Sequence, residues 1–319
     1  MVGAGRAMTE AAVHDHAKFR ALVERAQKLE PVRTAIAHPC DRVAIESAVE
    51  GARLRLIEPV LVGPERRIRD AAADLDISSF EIVDAEHSHD SALKAVAEVR
   101  AGRAGALMKG SLHTDEFMAA VVARDTGLRT ARRISHCFIM DVPGHPDPLI
   151  ITDAAVNVAP TLEDKIHIAQ NAIDLAHALG VTDVRVAILS AMETVNPKIA
   201  STLEAAALCK MADRGQITGA VLDGPLALDN AIDLEAAAIK KIDSPVAGRA
   251  NVLLVPDLEA GNMLAKSLSF LAGADAAGVV LGARVPIILT SRADAMLTRL
   301  ASFAVALFLA EAQRRAAAA

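Results

Sequence analysis

The densest group of reactive side chains in the sequence is TSRAD, residues 290–294, which follows the apolar run VPIIL and opens the last helical stretch. Ser291, Arg292 and Asp294 put a hydrogen-bond donor, a fixed cation and a possible base at one helix start. The plainer role for Ser291 or Asp294 is a helix cap, worth ~1 kcal/mol. A second group is Lys109-Gly110-Ser111, between an apolar run and a helix opening near His113. Glycine lets another group approach the backbone, and a lysine beside helix N–H groups favours an anion, although a plain turn with a solvated lysine reads equally well. Arg129, Arg132 and Arg133 form a third group, able to clamp phosphate through guanidinium forks or merely to solvate a surface. Asp153 and Asn157 follow the run LIIT, and Asp257 and Asn262 follow NVLLV, in PDLEAGN. Glu193, Asn196, Lys198, Asp223 and Asp229 follow two further apolar runs. His136 alternates with Cys137 inside ISHCFIMD and reads as a packed histidine rather than a metal ligand.

Apart from the arginines, which precede the run ISHCFIMDVPG, and His136 within it, each group falls just after a short β-branched run and before a longer amphipathic one. Strands are expected at 32–39, 57–64, 80–85, 105–110, 149–154, 184–191, 218–224, 251–257, 277–282 and 285–290, with one more in ISHCFIMDVPG. Helices are expected at 41–51, 65–75, 89–101, 113–123, 161–179, 198–213, 229–241, 260–272 and from about Asp294 onward. Thr161 followed by Asp164 has the spacing of a capping box. Strands alternating with helices imply an α/β fold with a largely parallel sheet covered on both faces, and sites at the carboxyl ends of its strands.

Composition narrows the chemistry further. In 319 residues there are 34 Lys and Arg against 40 Asp and Glu, a net charge of −6, with no Trp and no Tyr. A nucleic-acid partner is therefore not expected, since there is no basic track and the only aromatic rings of the Phe, Tyr and Trp kind are seven Phe. Apolar runs are punctuated short of the ~18 residues that cross a bilayer, so no membrane span is expected. Residues 1–19 lack the apolar centre of a leader and the three cysteines make no CxxC pair, which points to a reduced, cytoplasmic protein. Neither GxxxxGK[ST], GxGxxG after a strand, GxSxG nor HExxH occurs, and nothing in the histidine and cysteine spacing calls for a metal.

Taken together, MKGSLHT, SHCFIMDVPG, ITDAAVN, ILSAMETVNPKI, DGPLALDNA, SPVAGRANVLLVPDLEAGNMLAK and VPIILTSRAD resemble the phosphate acetyltransferase and phosphate butyryltransferase family over residues 30–310. PDLEAGN and the SR dipeptide are the most specific pieces. The likeness is greatest to the phosphate-acyltransferase half of bifunctional enoyl-CoA hydratase/phosphate acetyltransferases. The resemblance implies reversible acyl transfer between coenzyme A and inorganic phosphate, with coenzyme A as a substrate rather than a tightly bound cofactor. It also implies two α/β domains with a cleft between them, as in isocitrate and isopropylmalate dehydrogenases, and a homodimer. The first domain would be 1–141 plus 285–319 and the second, inserted, 142–284. Asp294 would be the base for the thiol, Ser291 and Arg292 would share the charge on the reacting oxygen, and no metal would be needed. Lys109, Gly110, Ser111 and Arg133 would hold phosphate oxygens or the coenzyme pyrophosphate, with Asp153, Asn157, Asp257 and Asn262 as further substrate contacts. Two positions depart from the family pattern. Thr298 stands where the acetyltransferase branch has an aspartate, and Ala119 where an arginine is usual, so that either Arg129, Arg132 or Arg133 compensates or the substrate or activity has drifted. A catalytically impaired coenzyme- or phosphate-binding subunit is the alternative; a decarboxylating dehydrogenase would want a tyrosine that this chain lacks.

Overall fold

A computed structural model describes residues 16–290 and 294–318. The first half of the chain gives α1 (Ala17–Ala26), β1 (Val32–Ala37), α2 (Arg42–Arg53), β2 (Ile57–Val62), α3 (Glu65–Ala72), β3 (Glu81–Val83), α4 (Ser88–Arg100), β4 (Ala106–Lys109), α5 (Thr114–Val122) and β5 (Ser135–Asp141). The remainder gives β6 (Leu149–Thr152), α6 (Leu162–Ala178), β7 (Arg185–Leu189), α7 (Ala200–Asp213), β8 (Val221–Leu226), α8 (Leu228–Ile232) and α9 (Leu234–Ile239). It closes with β9 (Val252–Leu254), α10 (Leu258–Leu271), β10 (Asp275–Leu281), β11 (Ile287–Ile288) and α11 (Met296–Ala318).

The strands form one sheet in the order β3-β2-β1-β4-β11-β10-β5-β6-β9-β7-β8. Most neighbours are parallel, but β11–β10, β10–β5 and β5–β6 are antiparallel. The sheet is therefore two parallel halves that run in opposite directions, joined by the seven-residue pair β10 and β5. Their registers share one line. Ile82, Leu61, Ile36, Met108, Ile288, Val279, Cys137, Thr152, Leu254 and Ile188 are successive cross-strand partners. Strands β1, β2, β3, β4 and β7 end one residue past that line, and β6, β9 and β11 end on it. The carboxyl ends of both halves thus reach the same latitude of the sheet from opposite sides.

Local chemistry explains most boundaries. Asp41 caps α2 by accepting from the Ala44 N–H at 2.8 Å. Thr161 and Asp164 form the expected reciprocal capping box at the start of α6. The helix expected over 229–241 is broken, because Asp233 is extended and caps α9 through the Ala236 N–H. α1 was not signalled by the pattern and packs with α11. The apolar length of α11 runs counter to the expectation that no run is long enough to span a bilayer, since by length and composition this helix is. It is a core helix here: 67% of its most apolar window is buried, and Phe303, Val305 and Leu307 are inaccessible.

Candidate active site

The turn after β4 is clamped to the end of β1. Gly110 N–H donates to Ala37 O and Ser111 N–H to His38 O, both at 2.9 Å. The Ser111 hydroxyl donates to His38 O at 2.8 Å and accepts from Cys40 N–H at 3.1 Å, so part of its bonding capacity braces the loop. A Cβ on residue 110 would lie 2.5 Å from Ala37 O and 2.7 Å from His38 O, which is why glycine stands there. Lys109 Nζ donates to the carbonyls of Gly110 and Leu112 at 3.2 and 3.3 Å. Burial, with help from Arg67, pulls the His38 pKa down, and burial pushes that of Cys40 up.

Beside this turn runs the segment that follows β11. Since β11 pairs in parallel with β4, Ile288 opposite Met108, the chain at Thr290 leaves the same edge as Gly110. Both line a narrow crevice together with Asp41, Ser47, Met108, Lys109 and Arg299. Asp294, four residues beyond Thr290, is partly buried. Ser291 and Arg292 lie outside the described residues. Thr298 is buried and its hydroxyl reaches the Asp275 carboxylate at 3.4 Å, so a carboxylate does stand beside that position. Asp275 also pairs with His16, and its cross-strand partner, the buried Asp141, pairs with Lys18 at 2.6 Å.

The other expected residues gather in a second cluster, at the ends of β6 and β9. Asp153 is buried, and its carboxylate accepts from the backbone N–H groups of Ala155, Val156 and Asn157 and from Asn157 Nδ2 at 2.6 Å. Asn157 Nδ2 also donates to Ile134 O, and its Oδ1 accepts from Arg133 Nε at 2.8 Å. Arg133 further approaches Asp164 at 3.4 Å, while Arg132 faces Asn171 and Asp174. These two guanidinium groups are thus engaged away from the lysine turn, and Arg129 is exposed. Ala119 lies on the exposed face of α5. Asp257 caps α10 through the Ala260 N–H, and Asn262 Nδ2 donates to Ala154 O at 3.2 Å, which ties α10 to the Asp153 loop.

Met108 and Thr152 share the register line and are four strand steps apart, so at ~4.8 Å per step the two clusters stand about 19 Å apart along the sheet. His136 lies between them on β5, buried, with its Nδ1 unpartnered among the described residues. Burial holds its pKa at about 4, against an opposing pull from the Asp153 charge. Cys137, facing the other side, is pushed up to about 12 by burial. Among the described residues no three His, Cys, Asp or Glu side chains gather as a metal site. The roomier depression, lined by Arg33, Glu58, Arg103 and Arg314, lies at the amino ends of β1 and β4 and holds none of the candidates. Sequence reading missed Arg299. The signal for it was a lone base between Leu297 and Leu300, ahead of the apolar run 300–310.

A family model described as phosphate acetyl/butaryl transferase matches residues 86–307. The chain belongs to this family. It is 64% identical to a phosphate acetyltransferase of Rhizobium meliloti over 94% of this chain and 95% of the relative. It is 40% identical to a phosphate butyryltransferase of Clostridium beijerinckii over 92% of this chain and 97% of that one. A solved branched-chain phosphotransacylase from Enterococcus faecalis V583 superposes with a TM-score of 0.77 at 28% identity, covering 87% of this chain and 99% of its own. Membership places the chain among acyltransferases that use coenzyme A and phosphate, on an α/β fold with a mostly parallel sheet.

Proposed function

We propose that the protein transfers an acetyl group, in preference to longer acyl groups, reversibly between coenzyme A and inorganic phosphate, and that the lysine turn and the segment 290–294 are where the reaction occurs. The acetyl preference rests on relatives at 54–64% identity, all named phosphate acetyltransferase, whereas butyryltransferases match at 37–42%. The observation that carries the location is the parallel pairing of β11 with β4, which brings residue 290 alongside Gly110.

In the direction of coenzyme acylation, the thiol loses its proton to Asp294 and the sulfur attacks the carbonyl carbon of the acyl phosphate. The carbon–oxygen bond to phosphate then breaks, and phosphate leaves with the electron pair. A free thiol of pKa near ~8.5 is only a few per cent ionised at neutral pH, so a placed base accelerates attack. Ser291 and Arg292 stabilise the oxygen that gains charge, and Lys109 neutralises the departing phosphate. Arg133, Asp153, Asn157, Asp257 and Asn262, about 19 Å along the sheet, hold the distal part of the coenzyme. The chain acts in the cytoplasm as a homodimer of two α/β units, 1–141 with 285–319 and 142–284.

The test is release of free thiol from acetyl-CoA, butyryl-CoA and isobutyryl-CoA with and without phosphate. Phosphate-dependent release fastest with acetyl-CoA, reduced ~10²-fold or more by Asp294→Ala, is expected. No phosphate dependence with any thioester overturns the function, and robust turnover by Asp294→Ala removes that residue from the mechanism.

A further inference from the structure

Arg299 is 7% exposed, on the first turn of α11. Among the described residues its Nε has no hydrogen-bond partner, and its terminal nitrogen meets only the Met296 sulfur at 4.0 Å. A guanidinium N–H buried without an acceptor is costly unless a bound group supplies one. The side chain lines the crevice that also holds Lys109, Gly110, Asp41 and Thr290. Asp41 is the one carboxylate among the described residues lining it, and that carboxylate is also spent on capping α2. Lys109, on the facing turn, donates to the Gly110 and Leu112 carbonyls among its contacts.

We infer that Arg299 is a direct ligand of the transferred phosphate, its planar fork gripping two oxygens of inorganic phosphate or of the acyl phosphate while Lys109 meets a third. The inference rests on the acyltransferase reading above and adds a residue to it. A guanidinium supplies paired, parallel donors that an ammonium cannot, so Arg299 fixes the orientation of the phosphate as well as its charge. It does so from the first turn of α11, a few residues after Asp294 in the chain. The neighbouring Arg132 and Arg133 are committed to Asn171, Asp174, Asn157 and Asp164 and leave this role open.

The experiment is steady-state kinetics of Arg299→Met and Arg299→Lys with acetyl-CoA and phosphate varied in turn, together with thermal melts of the full-length protein titrated with inorganic phosphate and, separately, with coenzyme A. Arg299→Met is expected to raise the phosphate KM about tenfold or more while the acetyl-CoA KM moves less than about twofold. Arg299→Lys is expected to fall between it and wild type, because charge stays and the fork is lost. Phosphate should lift the melting temperature of wild type but not of Arg299→Met, with the coenzyme A response intact in both. An unchanged phosphate KM, or equal rises in both KM values, overturns the inference. Should Arg299→Met fail to fold, Arg299→Lys carries the same KM split. Wild type without phosphate-dependent turnover would instead overturn the function and leave the melt comparison to judge Arg299.

Discussion

Replacing Gly110 by alanine is a compact test of how the lysine turn is held. The added Cβ would meet Ala37 O at 2.5 Å, His38 O at 2.7 Å and His38 C at 2.8 Å, all backbone atoms that no rotamer change can clear. Overpacking of this kind costs roughly 1–3 kcal/mol. The Gly110 and Ser111 N–H bonds to β1, both 2.9 Å, lie in the path of any shift and are worth about 1 kcal/mol each. A destabilisation of about 3 kcal/mol follows, which for 319 residues at ~2.1 cal/mol/K per residue is roughly a 4–5 °C fall in melting temperature. The same displacement moves Lys109, so phosphate-dependent thiol release should drop about 10- to 100-fold. Gly102→Ala is the control. Its φ of +72° incurs about 1 kcal/mol, but nothing lies within 4 Å of the new Cβ, and activity should be kept. A Gly110→Ala protein that melts within 1 °C of wild type and turns over normally would refute the clamp.

Two further outcomes follow from the second cluster and the strand between the clusters. Asp153→Ala leaves three backbone N–H groups and Asn157 Nδ2 without their acceptor and should cost about 3 kcal/mol or more in thermal melts, with Asp153→Asn milder; equal stability of the two variants would show that the loop is held by something else. His136 is neutral when folded because burial holds its pKa at about 4, whereas unfolded histidine protonates near 6.5. Its contribution is therefore complete above pH 6.5 and is lost as pH falls toward 4, by about 3 kcal/mol in all. Urea melts from pH 7.5 to 4.5 should show a shallower acid decline for His136→Gln than for wild type, and parallel declines would exclude His136 as the titrating group.

Much of this fold could be read from the residues alone. Short β-branched runs marked every strand of the sheet, and the Thr161 and Asp164 spacing marked the start of α6. What periodicity does not encode is pairing between distant runs. The insertion of β10 between β11 and β5, and the reversal of direction it brings, depends on contacts between residues more than a hundred positions apart, such as Val279 with Cys137. The site divides in the same way. Side-chain type pointed to Lys109, Asp153 and Asn157, but not to the commitment of Arg132 and Arg133 to acids on α6, nor to Arg299, whose meaning comes from being sealed beside a lysine of another element. The break at Asp233 escaped notice because 229–241 has helical composition throughout, and only the capping geometry at Asp233 divides it.

The common register line makes the sheet a ruler. Loops can lengthen, and helices can slide, without altering the gap between the lysine turn and the Asp153 loop, because that gap is counted in hydrogen-bonded strands. A molecule reaching both ends would meet a span counted in the strands from β4 to β6, whatever the loops around it do.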